Sequence, residues 1–279
     1  MPGADLLTSS NADCTASDVA SAVARLVEEL GTRSLGSAVL EFLRTQGFFD
    51  SALILLYPRT RRPRVLFEAL AHPLRSNDVE TYLAGAYLLD PFRIHAQTLR
   101  KPALVRLRDI VAEDFRSGEY FRNYYVASHL IDEVNFLIPV VGKQVVAVCL
   151  GRSQSLAPFG EAEIARFRSW LPMLSAVFRR HVAMPGAIQD AHAARINDRE
   201  HDRLEARLAT FGSDLLTPRE REVVQHLLRG ISAPDIAGRL SVSLLTVRVH
   251  RRNIYDKLDV SSLGQLFSLA MHSVLTGDA

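Results

Sequence analysis

The sequence predicts two folded parts: an α+β domain, built as an antiparallel sheet with flanking helices, followed by an all-α domain of four short helices. Three observations predict this. Strand-like runs come as two adjacent pairs, 51–57 with 64–70 and 133–140 with 145–151, each joined by a short turn. Helical periodicity lies before, between and after those pairs, which is not the strand–helix alternation of a parallel sheet. From Leu215 onward the chain is dense in helix caps and stops, with no strand-like run.

Each element has its own signal. Residues 1–16 are small and polar and are expected to fray. The α+β domain is assigned to 17–183. Its first helix has a cap at Ser17, apolar Val19, Val23, Leu26, Val27 and Leu30, and a stop at Gly31. A second helix spans 35–46. The first hairpin turns through PRTRRP, with two prolines and three arginines. A helix near 78–86 is capped by Ser76 or Asn77, 88–103 is irregular, and short helices are expected near 108–114 and 119–127. A long helix over 160–182 buries Ile164, Phe167, Leu171, Leu174 and Phe178, and Pro172 is expected to kink it. Residues 184–214 are alanine-rich and charged with both signs. They read as a solvated connecting helix or, through Leu204 and Leu208, as a short dimerising coil.

Bulk properties exclude several function classes. A formal net charge of +2 over 279 residues means that any argument for nucleic-acid binding must be local. The two cysteines, Cys14 and Cys149, make no metal-ligand pattern; Cys149 reads as a buried small hydrophobe in a strand, or else as a reactive thiol. The N-terminus lacks the basic and apolar regions of a secretory signal, and no apolar run is long enough to span a membrane. A cytoplasmic protein without membrane contact is expected. With no nucleophile elbow, phosphate-binding loop or metal-ligand spacing, neither an enzyme nor a cofactor is expected; His72, His95, His129 and His181 have no recognisable partners.

The second domain, 215–279, carries the specific signal. Thr217, Pro218 and Glu220 form a capping box opening a helix that buries Val223, Val224, Leu227 and Leu228 and stops at Gly230. Ser232 caps a short helix with Ile236, Ala237 and Leu240 inward. Ser243 caps a third, 244–258, and a fourth follows over 263–275. Short helices with tight turns fit a helix-turn-helix bundle. At 100° per residue, Val247, Ile254 and Leu258 of the third helix share one buried line. Leu245, Arg248, Val249, Arg252 and Asp256 lie opposite. Arg248 and Arg252 can present bidentate donors to guanine edges, and Val249 can pack on a thymine methyl. Thr246 and Arg251 suit phosphate. Four cations face one carboxylate in this helix, a local basic patch.

The segment LTPREREVVQHLLRGISAPDIAGRLSVSLLTVRVHRRNIYDKLDV resembles the LuxR-type helix-turn-helix, agreeing at Glu220, Gly230, Ile236, Ala237, Leu240, Ser243, Thr246, Val247, His250, Ile254, Lys257 and Leu258. The resemblance implies a transcription regulator that binds double-stranded DNA as a homodimer. It implies base contacts for Arg248, Val249 and Arg252 and a phosphate contact for Thr246. The chain departs from the pattern at Ala233-Pro234-Asp235, at Leu244-Leu245 and at Ser262-Leu263-Gly264, which removes basic residues and predicts weaker or more partner-dependent DNA binding. The last helix offers Leu263, Leu266, Phe267, Ala270 and Val274 on one face, for its own bundle or for that partner.

The first domain has no receiver-type acidic pair and no ATP-binding loop. Tyr82, Tyr87, Asp90 and Pro91 are similar to the Tyr…Asp-Pro signature of acyl-homoserine-lactone receptors, and the element order resembles GAF- and PAS-like sensors. The resemblance implies a small-molecule effector contacted by Tyr82, Tyr87 and Asp90. Against it stands a plain structural reading, in which Asp90 caps a helix or turn; the aromatic cluster Tyr120, Phe121, Tyr124 and Tyr125 reads as pocket lining or, for most of its members, as core packing. The alternative function is a ligand-independent regulator whose first domain dimerises or binds protein.

Overall fold

The computed structural model describes residues 15–59, 61–70, 76–111, 130–153, 156–187 and 191–276. Helices α1 (Ala16–Glu28) and α2 (Leu35–Arg44) precede a hairpin of β1 (Ser51–Tyr57) and β2 (Arg64–Leu70). Then come α3 (Ser76–Ala84), a 3-10 turn (Ala86–Leu89), α4 (Pro91–Thr98), β3 (Ala103–Arg106) and the single turn α5 (Leu107–Ile110). The second hairpin is β4 (Leu130–Val140) and β5 (Gln144–Ser153), followed by α6 (Glu161–Ser169), α7 (Leu171–Ala183) and α8 (Ala191–Thr210). The bundle is α9 (Pro218–Leu228), α10 (Ala233–Leu240), α11 (Leu244–Leu258) and α12 (Leu263–Thr276).

The strands form one five-stranded sheet in the order β2-β1-β5-β4-β3, antiparallel at every pairing. The two hairpins meet through β1 and β5, with Ile54 opposite Val148 and Tyr57 opposite Val145. Alternation along the strands gives the sheet two apolar faces. Ala52, Ile54, Leu56, Val134, Phe136, Ile138, Val146, Val148 and Leu150 point to one face, covered by α1, α2, α6 and α7. There α2 approaches β2 so closely that a Cβ on Gly36 would fall 2.4 Å from the Phe67 side chain. Leu55, Tyr57, Leu137, Val145, Ala147 and Cys149 point to the other, under Tyr82, Tyr87, Leu88, Leu89 and Phe92.

Several expectations are corrected. The first helix is capped by Thr15, which exchanges bonds with Asp18 in a capping box, so the cap is two residues earlier than Ser17. The long helix expected over 160–182 is two helices broken at Trp170. Pro172 sits in the first turn of α7, where its missing N–H costs nothing, so the chain restarts instead of bending. The stretch 88–103 is not irregular: it holds α4 and the start of the edge strand β3, which pairs with β4. Of the helix expected near 108–114 only the turn α5 is present within the described residues. The helix near 119–127 and the aromatics Tyr120, Phe121, Tyr124 and Tyr125 lie outside them. The connecting helix α8 is not solvated on every side, since His201, Leu204 and Leu208 are buried. The apolar stripe of α12, with Leu266, Phe267, Ala270 and Val274, is buried within the chain.

The bundle follows its punctuation. Thr217 Oγ1 accepts from the Glu220 N–H, and the Glu220 carboxylate accepts from the Thr217 N–H at 2.8 Å. That carboxylate is nearly inaccessible and also takes Lys257 Nζ at 2.7 Å, pinning the end of α11 to the start of α9. Burial pushes the Glu220 carboxyl up, but the bonds from Lys257 and from Thr217 outweigh it and hold it below the usual carboxylate range. A depressed carboxyl contributes stability above its unfolded value, about 4.3, and loses it as pH falls. Glu220→Ala removes a cap and half of an ion pair and is expected to cost about 2 kcal/mol in denaturant unfolding. In Glu220→Gln, part of the loss of thermal stability below about pH 4.3 should disappear, read by calorimetry from pH 7 to 3.

Candidate functional site

Two constellations stand out, one on α11 and one on the second face of the sheet. In the bundle, α10 ends at Ser241 in the left-handed region, and Ser243 then accepts from the Thr246 N–H at 3.0 Å to open α11. Val247 and Ile254 are fully buried, with Leu258 partly so. The opposite side is bare: Leu245 is 70% and Val249 50% exposed, with Arg248 and Arg252 exposed beside them. The stripe expected from 100° spacing is therefore where the helix is buried, and Leu245, Arg248, Val249 and Arg252 form one outward surface. Among the described residues Arg252 reaches only Asp256, 3.9 Å away and itself exposed. Thr246 is half-buried and its hydroxyl shares a 2.7 Å bond with Ser243; Arg251 is half-buried at the edge of that surface.

On the sheet, Asp90 ends the 3-10 turn and caps α4, accepting from the Phe92 N–H at 2.8 Å through Oδ1. Its Oδ2 accepts from the Tyr82 hydroxyl at 2.7 Å and from the Tyr57 hydroxyl at 3.0 Å. Burial pushes the Asp90 carboxyl up, against the downward pull of the Tyr82, Phe92, Tyr57 and Arg93 hydrogen bonds. Burial likewise raises the Tyr57 phenol and the Cys149 thiol. Cys149 is accordingly a buried protonated thiol in a strand, as one of the two sequence readings held. Tyr82 and Asp90 are thus brought together.

Tyr87 turns the other way. Its hydroxyl shares a 2.8 Å hydrogen bond with His201 Nδ1 of α8, and the two rings stack with centroids 5.7 Å apart. His201 Nε2 lies 3.5 Å from Glu205. One residue group away, a Cβ on Gly85 would fall 3.1 Å from Leu275 of α12. The segment that presents Tyr82 and Asp90 to the sheet thereby also touches the connecting helix and the bundle. Arg207 donates to the Val274 carbonyl and Gln225 to the Leu208 carbonyl, so α8 is bonded to α12 and α9. Apolar packing runs without a break from Tyr57 and Cys149 through Tyr87 and Leu204 to Val247 and Ile254.

Sequence reasoning missed Tyr57, Asn135, Arg93 and His201. Tyr57 ends an apolar strand 33 residues from Asp90, and only strand alternation with Leu55 hinted at its face. Asn135 is completely buried opposite Cys149, and among the described residues its amide meets only that weakly hydrogen-bonding thiol. An isolated Asn in an apolar strand was the available signal.

A basic, partly apolar surface on the second helix of a helix-turn-helix pair, at the end of an α+β domain, defines a two-domain DNA-binding regulator. Residues 214–270 match the family model for bacterial regulatory proteins of the luxR family, and the C-terminal domain of this chain belongs to that family. The chain is similar to an HTH-type transcriptional regulator of Aeromonas salmonicida, 28% identical over 188 residues that cover 67% of this chain and 95% of the other. It is similar to the monoamine regulon transcriptional regulator of Klebsiella aerogenes, 27% identical over 203 residues covering 71% and 75% of the two chains. Among solved structures, the LBD domain of VqsR from Pseudomonas aeruginosa matches with a TM-score of 0.51 and 25% identity, covering 58% of this chain and 95% of that one. Among the described residues no helix is long and apolar enough to cross a membrane.

The Asp90 arrangement makes a stability prediction. Asp90→Ala strips a cap and leaves two buried phenols without their acceptor, and is expected to cost about 2–3 kcal/mol in denaturant unfolding. Asp90→Asn keeps the cap oxygen but sets an amide N–H donor against the two phenol donors, so its cost should fall between the parent and the Ala variant.

Proposed function

We propose that the chain binds sequence-specific sites on double-stranded DNA as a homodimer, and that a small-molecule effector bound on the second face of the sheet controls that binding. The observation that carries the DNA reading is the exposed Leu245–Arg248–Val249–Arg252 surface on α11. Arg248 and Arg252 read base edges, Val249 meets a thymine methyl, and Thr246 and Arg251 sit against phosphate. The effector reading is supported by Asn135, a buried amide that meets only the weak Cys149 thiol among the described residues, on the face that holds Tyr82 and Asp90. Tyr82 and Asp90 would exchange their mutual bond for the polar head of the effector. Tyr87 is better suited to transmit the event, because its hydroxyl is engaged by His201 of α8.

The mechanism is linkage. An effector that binds better when the 82–90 segment is rearranged shifts the population away from the arrangement in which that segment grips α8 and α12. No reacting group is part of this scheme; the curated relatives are transcriptional regulators, and the protein is proposed to act by binding alone. One observation favours the second reading, a ligand-independent regulator whose first domain dimerises or binds protein: Asp90 is already satisfied by Tyr82, Tyr57 and Phe92.

Arg248→Ala and Arg252→Ala should each lose roughly 5- to 150-fold in affinity, about 1–3 kcal/mol, for duplexes selected from a random library, with unchanged thermal stability. If both variants bind like the parent, α11 does not read the bases. Tyr87→Phe should raise amide exchange in α8 while leaving α9 and α11 protected, because it removes the interdomain bond and nothing inside the bundle. Native mass spectrometry of protein from its own host decides between the two readings: a retained small molecule of defined mass supports sensing, and its consistent absence supports the ligand-independent reading.

A further inference from the structure

The last turn of β1, the start of β5 and the underside of α4 enclose a cleft of about 290 Å³ next to Tyr57. Its lining contains four cations, Arg59, Arg93, Arg100 and Lys143, and no Asp or Glu. Arg93 is the unusual one. It is 2% exposed, projects from α4 three residues after the Asp90 cap, and lies with its guanidinium carbon 5.1 Å from the centre of the Tyr87 ring. Its Nε and one terminal nitrogen are buried with no hydrogen-bond partner. Asp90 makes no ion pair with it; the Asp90 oxygens accept from Tyr57, Tyr82 and the Phe92 N–H. Among the described residues the charges of the other buried arginines are paired: Arg106, whose Nε also lacks an acceptor, with Glu161, and Arg152 with Glu163 and three backbone carbonyls.

A guanidinium is never deprotonated at ordinary pH, so burial cannot be relieved by neutralising it. A buried unpaired charge is costly, and a fork of unused donors is matched by the two oxygens of a carboxylate or phosphate. We infer that this cleft is an oxyanion site, in which Arg93 binds the carboxylate or phosphate of a small amphiphilic ligand while Arg59, Arg100 and Lys143 surround the charge. The apolar remainder of the ligand packs on Leu99, Val140 and Val145. The volume sits at the low end for ligand pockets, which favours a small molecule. Because Arg93 touches Tyr87, which holds α8, an anion here also acts on the interdomain contact; that regulatory part rests on the sensing reading above, while the binding part does not.

The test uses the full chain, with calorimetric titration and thermal shift at fixed ionic strength set by chloride. The probes are hexanoate, methyl hexanoate and inorganic phosphate. Hexanoate or phosphate should stabilise the protein and bind saturably, and whichever does so identifies the oxyanion; the uncharged ester should not. Arg93→Gln should weaken that binding at least tenfold and fold with undiminished stability when no anion is present. Arg25→Gln, which alters an exposed arginine on α1, should bind like the parent. If Arg93→Gln does not fold, Arg100→Gln combined with Lys143→Gln should show the same weakening. The inference is overturned if neither anion binds, if the ester binds as well as the acid, or if the folded Arg93 or double variant keeps full affinity. Binding that leaves DNA affinity unmoved upholds the site and removes the sensing reading instead.

Discussion

A sheet whose strands are apolar on both faces has to be covered twice, and the rest of the molecule is arranged around that requirement. The first face is covered from within the domain by α1, α2, α6 and α7. The second is roofed by the 82–90 segment and α4, and that roof in turn packs on α8 and α12. The need to cover the second face therefore brings the DNA-binding domain into contact with the very segment that carries Tyr82 and Asp90. A regulator with a solvated tether would have no such contact, and its two domains would communicate only through chain length.

The polar groups on that second face are not distributed as in an ordinary core. Buried polar groups are normally paired. Asp90, Tyr57 and Tyr82 satisfy one another, and their bonds fix the start of α4. Among the described residues, Asn135 meets only the weak Cys149 thiol, and two guanidinium nitrogens of Arg93 have no acceptor. On the first face and its rim, Trp170 donates to Gln46, His181 accepts from the Gly31 N–H, and Arg152 stacks on Phe159 while holding the Phe48 carbonyl.

In the bundle the reverse holds: the unusual groups are apolar and outside. Leu245 and Val249 remain in solvent because the buried line of α11 is already filled by Val247 and Ile254 against α9 and α10. The Glu220–Lys257 pair fixes the tilt of α11 from its far end, so the exposed face is presented by a helix anchored at both termini.

The sequence by itself determined what depends on near neighbours. Capping at Thr217, Ser232 and Ser243, the stop at Gly230, the alternation of the hairpins and the outward face of α11 are all set within one or two turns of chain, where local geometry decides. Tertiary structure decided what depends on distant partners. The edge strand β3 is too short to show a pattern and exists because β4 offers it hydrogen bonds. Tyr57 joins Asp90 across 33 residues, Tyr87 meets His201 across 114, and the stripe on α12 turned inward because α8 was there to meet it. Whether a polar residue is a ligand contact, a clamp or a cap depends on which partner reaches it first, and that is a property of packing rather than of spacing.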